Sequence, residues 1–140
     1  MSDKILFWMD ADLIHYGLAK YLKDIYDCDL YGIFDITNKP KEFFKTQELV
    51  KFEKNWFYHE HIQQTNDNPD IEYLAKFEKK YNINLWVIAY NERIFFKYNE
   101  FYKFTTNEIL KILERECKFF EKVLEEVIPY FLIMRAGDLQ

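Results

Sequence analysis

Glycine is nearly absent from this chain, with three residues in 140 and no two of them close together. That excludes the Gly-rich loops by which many nucleotide-binding folds bring backbone N–H groups against phosphate. Cysteine is as sparse: Cys28 and Cys117 stand far apart and form neither a CxxC pair nor a zinc-ligand spacing. A disulfide scaffold is thereby excluded, and both are expected as reduced thiols in core elements of a cytosolic protein. No apolar run approaches the roughly 20 residues that span a bilayer. The start, with one Asp and one Lys before five apolar residues, is not read as a signal peptide. An excess of positive charge is missing too. The 19 Lys and Arg are dispersed among 24 Asp and Glu, for a net charge of −5, which disfavours nucleic acid as a partner. There is no GxSxG elbow and no recognisable Cys/His pairing.

What the chain has is apolar and aromatic mass. Hydrophobic residues make up 49% and aromatics 20%, with 14 Phe and 11 Tyr, enough to fill the ring-rich core of one domain over residues 1–140. The segment Ile5 to Met9 is a continuous apolar run of strand length, as in parallel sheets buried on both faces. From Asp12, a candidate N-cap, the period becomes helical through Ile14, Leu18, Tyr21, Leu22 and Ile25. A second strand is expected over Cys28 to Ile36, giving a βαβ opening. Phe43, Phe44, Leu49 and Phe52 suit a short helix, and NWFYHEHI a short strand or an aromatic loop. Asn68-Pro69 reads as the start of a helix carrying Ile71, Leu74, Phe77 and Tyr81 and ending near Asn82. Ile83 to Tyr90 reads as a further buried strand. Thr105 and Glu108 form a capping box for a long helix that Pro129 stops, and Tyr130 to Met134 is a last strand. Alternating strands and helices predict an α/β fold, a Rossmann-like three-layer domain with a mainly parallel sheet.

In such sheets ligands bind beyond the carboxyl ends of the strands. Two polar clusters fall there on this reading: Asp10, Asp12 and His15 after the first strand, and Asn91, Glu92 and Arg93 after Ile83 to Tyr90. Asp10-Ala-Asp12 has the spacing with which haloacid-dehalogenase phosphatases present a nucleophile and a general acid, although Leu13-Ile14 replaces their usual continuation. The plainer alternative is a turn residue at Asp10 and a helix cap at Asp12. His15 is a candidate acid or base, or an anion ligand at a helix start. Arg93 is suited to gripping a phosphate or carboxylate, with Glu92 as a base, against the alternative of an intramolecular ion pair. His59 and His61 would share one face of a strand, but no third metal ligand accompanies them. No metal or cofactor is called for by these patterns.

The stretches ILFWMDADLIHYGLAKYLKDIYDCDLYGIFDI, LWVIAYNERIFFKYN and FTTNEILKILERECKFFEKVLEEVIPYFLI together resemble the amino-terminal half of capsule-polysaccharide biosynthesis proteins, which look like GT-B glycosyltransferases. The sharpest part is the closing unit, where Thr-x-x-Glu-Ile-Leu, Cys-x-Phe-Phe-Glu and Glu-Glu-Val-x-Pro lead into an apolar strand. Tyr130 stands where family members often carry Asp. The resemblance implies an acceptor-side domain for a sugar or glycan, incomplete as a catalyst without a separate donor-binding half. It places Asp10, Asp12 and His15 as candidate catalytic residues, with His15 or Asp12 as base, and Asn91, Glu92 and Arg93 as substrate-binding residues. A different class of reading is a non-catalytic interaction module or homodimer that uses Phe95, Phe96, Tyr98, Phe101 and Tyr102 as a contact patch.

Overall fold

The structure is a computed structural model that describes residues 2–63, 67–92, 95 and 100–134. It is a Rossmann-like α/β arrangement with a four-stranded, all-parallel sheet and, among the described residues, six helices. The chain divides into two compact units, one holding the segments up to His61 and from Val123, the other Ile62 to Lys122. No helix among the described residues is long and apolar enough to cross a membrane.

The first unit carries the sheet. Strand β1 (Asp3–Met9) is followed by α1 (Leu13–Ile25), β2 (Cys28–Phe34), α2 (Asn38–Thr46), β3 (Lys54–Phe57) and the single turn α3 (Tyr58–His61). The last strand, here β4 (Phe131–Ile133), pairs with the first, so the strand order is β3-β2-β1-β4. Burial follows from the apolar run of β1: Ile5 to Met9 are all buried, because both sheet faces are covered. On one face Ile5, Phe7, Met9, Leu30, Phe34 and Phe57 pack with Tyr16 and Ala19 of α1 and Phe44 of α2. On the other, Leu6, Trp8, Ile33 and Trp56 are buried, with Tyr31 stacked on Trp56 and Tyr58 set edge-on to Trp8.

Gly32 lies opposite Phe7 in the β1–β2 register, within the first of these faces. A Cβ there would stand 2.5 Å from Cε2 of the Phe34 ring. That ring is itself set among Phe44, Phe52 and Phe57 at centroid distances of 5.1, 5.4 and 5.3 Å. Glycine is thus required here by close packing and not by backbone conformation.

The second unit is helical. α4 (Ile71–Tyr81), α5 (Leu85–Asn91) and most of the 22-residue α6 (Thr106–Val127) bury Leu74, Leu85, Ala89, Phe95, Ile109, Leu113 and Cys117 together. The capping box at its start forms as expected: Thr105 N–H donates to Glu108 Oε2 at 2.7 Å, and Glu108 N–H to Thr105 Oγ1 at 3.3 Å. α4 starts two residues later than Asn68 suggests, because Asp70 is the cap that accepts from Tyr73 N–H, at 2.9 Å. Its end is where the sequence places it, with Asn82 in the left-handed region at φ 52°. α6 stops at Val127, ahead of Ile128 at φ 49° and Pro129.

Two expectations are corrected. Ile83 to Tyr90 is not a strand: Asn84 Oδ1 accepts from Val87 N–H at 3.1 Å and caps a helix, α5, whose buried residues Leu85 and Ala89 are one turn apart. Trp86, Val87, Ile88 and Tyr90 remain exposed, which a strand covered on both faces would not allow. His59 and His61 lie on the turn α3 and not on one face of a strand.

A carboxyl-edge cluster as candidate functional site

Because the strands are parallel, their carboxyl ends fall on one edge, and the register aligns Met9, Phe34 and Phe57 as the terminal row. The next residues along are Asp10, Asp35 and Tyr58, with His59 one further. Asp35 N–H donates to Met9 O at 2.7 Å, which continues the β1–β2 ladder one residue beyond the strand and fixes the Asp35 backbone beside that of β1.

Asp10 and Asp12 shape the turn from β1 into α1. Asp12 N–H donates to Asp10 Oδ1 at 2.9 Å, and Ile14 N–H donates to Asp12 Oδ1 at 2.6 Å. Asp12 is therefore the N-cap of α1, the role that leaves one helical N–H satisfied by a carboxylate beside the positive helix end. His15 sits in the first turn, partly buried, with Nδ1 shielded from solvent and without a partner among the described residues.

Sequence reasoning missed the best-formed contact of this edge. His59 Nε2 lies 2.8 Å from Asp35 Oδ1, joining the end of β2 to the turn after β3. The Asp35 side chain is 20% exposed and that of His59 is 51% exposed. A carboxylate that holds one ring nitrogen fixes the tautomer and leaves the other nitrogen as proton acceptor. With half of the His59 side chain exposed, the pair stands at the surface of this edge. Beside the pair, Glu60 is bound by Lys41 and, at 3.5 Å, by Lys45 of α2, and the Lys41 hydrogen bond holds its carboxyl below the usual range. Neither Asp35 nor its pairing is visible in the sequence, since the two residues are 24 positions apart and joined only by strand order.

The second predicted cluster is elsewhere. Asn91 is the last residue of α5, where its Nδ2 donates to Val87 O at 3.0 Å, and Glu92 is the C-cap, its N–H reaching Ile88 O and Ala89 O. Both belong to the helical unit and neither follows a strand, so the carboxyl-edge argument for them lapses. Arg93 lies outside the described residues. Of the aromatic contact patch, Phe95 is a core residue, Tyr102 O–H donates to Glu108, and Phe101 is 98% exposed; Phe96 and Tyr98 lie outside the described residues. No set of three or more His, Cys, Asp or Glu among the described residues is arranged to hold a metal ion. No protein-family model, curated protein or solved structure matches this chain.

Proposed function

We propose that this chain is the acceptor-side half of a glycosyltransferase-like activity of the capsule or surface-glycan type, working in the cytoplasm with a donor-binding half supplied separately. The observation that carries this reading is the set of polar groups within two residues of the ends of three adjacent parallel strands, Asp10, Asp35 and His59, with the imidazole held by a carboxylate. Such a pair suits removal of a proton from a sugar hydroxyl as it attacks an activated donor. Asp35 keeps the ring oriented and balances the positive charge it acquires. His59 takes the base role first considered for His15 or Asp12, because Asp12 is engaged as a helix cap.

Titration of the ¹⁵N-labelled chain with a panel of oligosaccharides, followed by amide shifts, tests the reading. The expected result is saturable movement confined to Asp10 to His15, Asp35 and His59, lost in His59→Ala and Asp35→Asn. Nucleotide sugars, titrated separately, should leave the spectrum unchanged. Tight binding of a nucleotide sugar, or no response to any saccharide, overturns the proposal.

A further inference from the structure

The helical period read from the sequence for α1 is real, but most of the apolar face it defines is not packed on the sheet. Tyr16 and Ala19 are the buried residues of this helix, with Leu22 partly buried beside them. Ile14, Leu18, Tyr21 and Ile25 stay 73, 37, 60 and 49% exposed. α1 therefore has two apolar faces, of which the sheet covers one.

We infer that the outer face of α1 is a self-association surface on which a second copy of this chain docks its own α1, antiparallel, about a twofold axis. The spacing of the stripe is four, three and four residues, the seam pattern by which two helices interlock side chains. Its occupant is accordingly a helix. Gly17 gives an independent sign of the same occupant. It lies in the helix interior, where glycine is less stable than alanine, and a Cβ added there would meet nothing within 4 Å. No described residue of the sheet-bearing unit fills that space. Gly17 is one turn from both Ile14 and Tyr21, so it forms a notch along the stripe through which another helix can approach closely.

The stripe is self-complementary. An antiparallel copy centred between Ala19 and Lys20 sets Ile14 opposite Ile25 and Leu18 opposite Tyr21, and brings the Tyr21 ring near the partner's notch. This is the isologous arrangement of a twofold dimer. With Leu13 and Tyr26, 64 and 62% exposed at the flanks, the open side-chain surface is on the order of 600 Å² per copy. Full coverage of this surface on both copies would bury about 1,200 Å², above the roughly 1,000 Å² that a specific interface requires. A membrane surface is the poorer occupant. The chain carries a net charge of −5, and of the two lysines of α1, Lys20 is paired with Asp24 and Lys23 donates to Cys28 O, leaving no row of cations for anionic lipid.

Sedimentation velocity and light scattering of the full chain across a concentration series provide the test. The wild type is expected to reach twice its 17.3 kDa mass by roughly 100 μM. Tyr21→Lys, at an exposed position, should remain monomeric with an unchanged circular dichroism spectrum. Gly17→Ala should weaken the dimer by about tenfold or more while the monomer melts no lower, because filling the notch harms only the interface. A wild type that stays monomeric at this concentration overturns the inference, as does a dimer unaffected by Tyr21→Lys and Gly17→Ala. Co-sedimentation of the monomer with phosphatidylserine vesicles, abolished by Tyr21→Lys, assigns the face to a membrane instead.

Discussion

Gly32→Ala is the smallest perturbation that probes the sheet core. The added methyl meets the Phe34 ring at 2.5 Å from Cε2 and 2.9 Å from Cζ, well inside carbon–carbon contact distance. A ring tip on a flexible side chain would swing away at little cost. Phe34 is completely buried, however, and Phe44, Phe52 and Phe57 surround it. Relief has to come from moving several rings or the β1–β2 backbone. Overpacking of this kind costs about 1–3 kcal/mol, and the loss of glycine's freedom in the unfolded chain returns about 0.4–1 kcal/mol. The net destabilisation is about 1–2 kcal/mol, which at this chain length lowers Tm by roughly 3–8 °C. Urea and thermal unfolding followed by far-UV circular dichroism measure it directly. In a Phe34→Leu background the same substitution should cost at least about 0.5 kcal/mol less, since the colliding atoms are gone. A Gly32→Ala protein as stable as wild type, or an equal penalty in both backgrounds, refutes the packing argument.

Glu114 is a buried carboxyl of the helical unit that contributes to its acid response. Burial pushes its carboxyl up, but hydrogen-bonded ion pairs with Lys118 and Lys111 and the Asp70 N–H outweigh this and hold it down to about 2. A depressed carboxyl stabilises above its ordinary value of 4.5, so about 3 kcal/mol of stability should be lost as pH falls from there towards 2; Glu114→Gln, measured by urea unfolding, should flatten that dependence. The same substitution at pH 7 should cost about 3 kcal/mol, because Lys111 and the Asp70 N–H lose their buried partner. Burial pushes the Cys117 thiol up to about 12, and Cys28 upward as well. Ellman's reagent at pH 8 should therefore label neither thiol in the native chain and both in denaturant. Thr105→Ala removes one half of the α6 capping box and should cost about 1 kcal/mol in chemical denaturation.

The parts of this fold that a reader of the sequence can find are those where local and global preferences agree. Ile5 to Met9 has no polar residue to interrupt it, and a strand buried on both faces is what such a run permits. Asp12 and the Thr105–Glu108 box act within three residues of themselves, so their role does not depend on distant parts of the chain. The run Leu85 to Asn91 misleads because β-prone residues in a short apolar stretch fit either state, and the decision falls to the Asn84 cap and to Leu85 and Ala89 packing on the helices of their own unit. In α1 the periodicity identifies the helix but not which side the sheet will take, and the residues buried are Tyr16 and Ala19, not the longer stripe. Asp35 and His59 are ordinary residues in their local context, and only the alignment of β1, β2 and β3 brings them into one row.

The position of β4 has a consequence for the order in which this protein can be made. The hydrogen bonds that close the outer edge of β1 come from Phe131 to Ile133, roughly seventy residues after His61, where the β3-side half of the first unit ends. At ribosomal speeds of about 5–20 residues per second, a nascent chain spends several seconds with β3, β2 and β1 able to assemble while one side of its most apolar strand stands unpaired. An open, hydrophobic edge of that kind is a template for wrong partners. The helical unit must be synthesised during the same interval, so slow translation between residues 62 and 130 would lengthen the exposure that the three residues of β4 bring to an end.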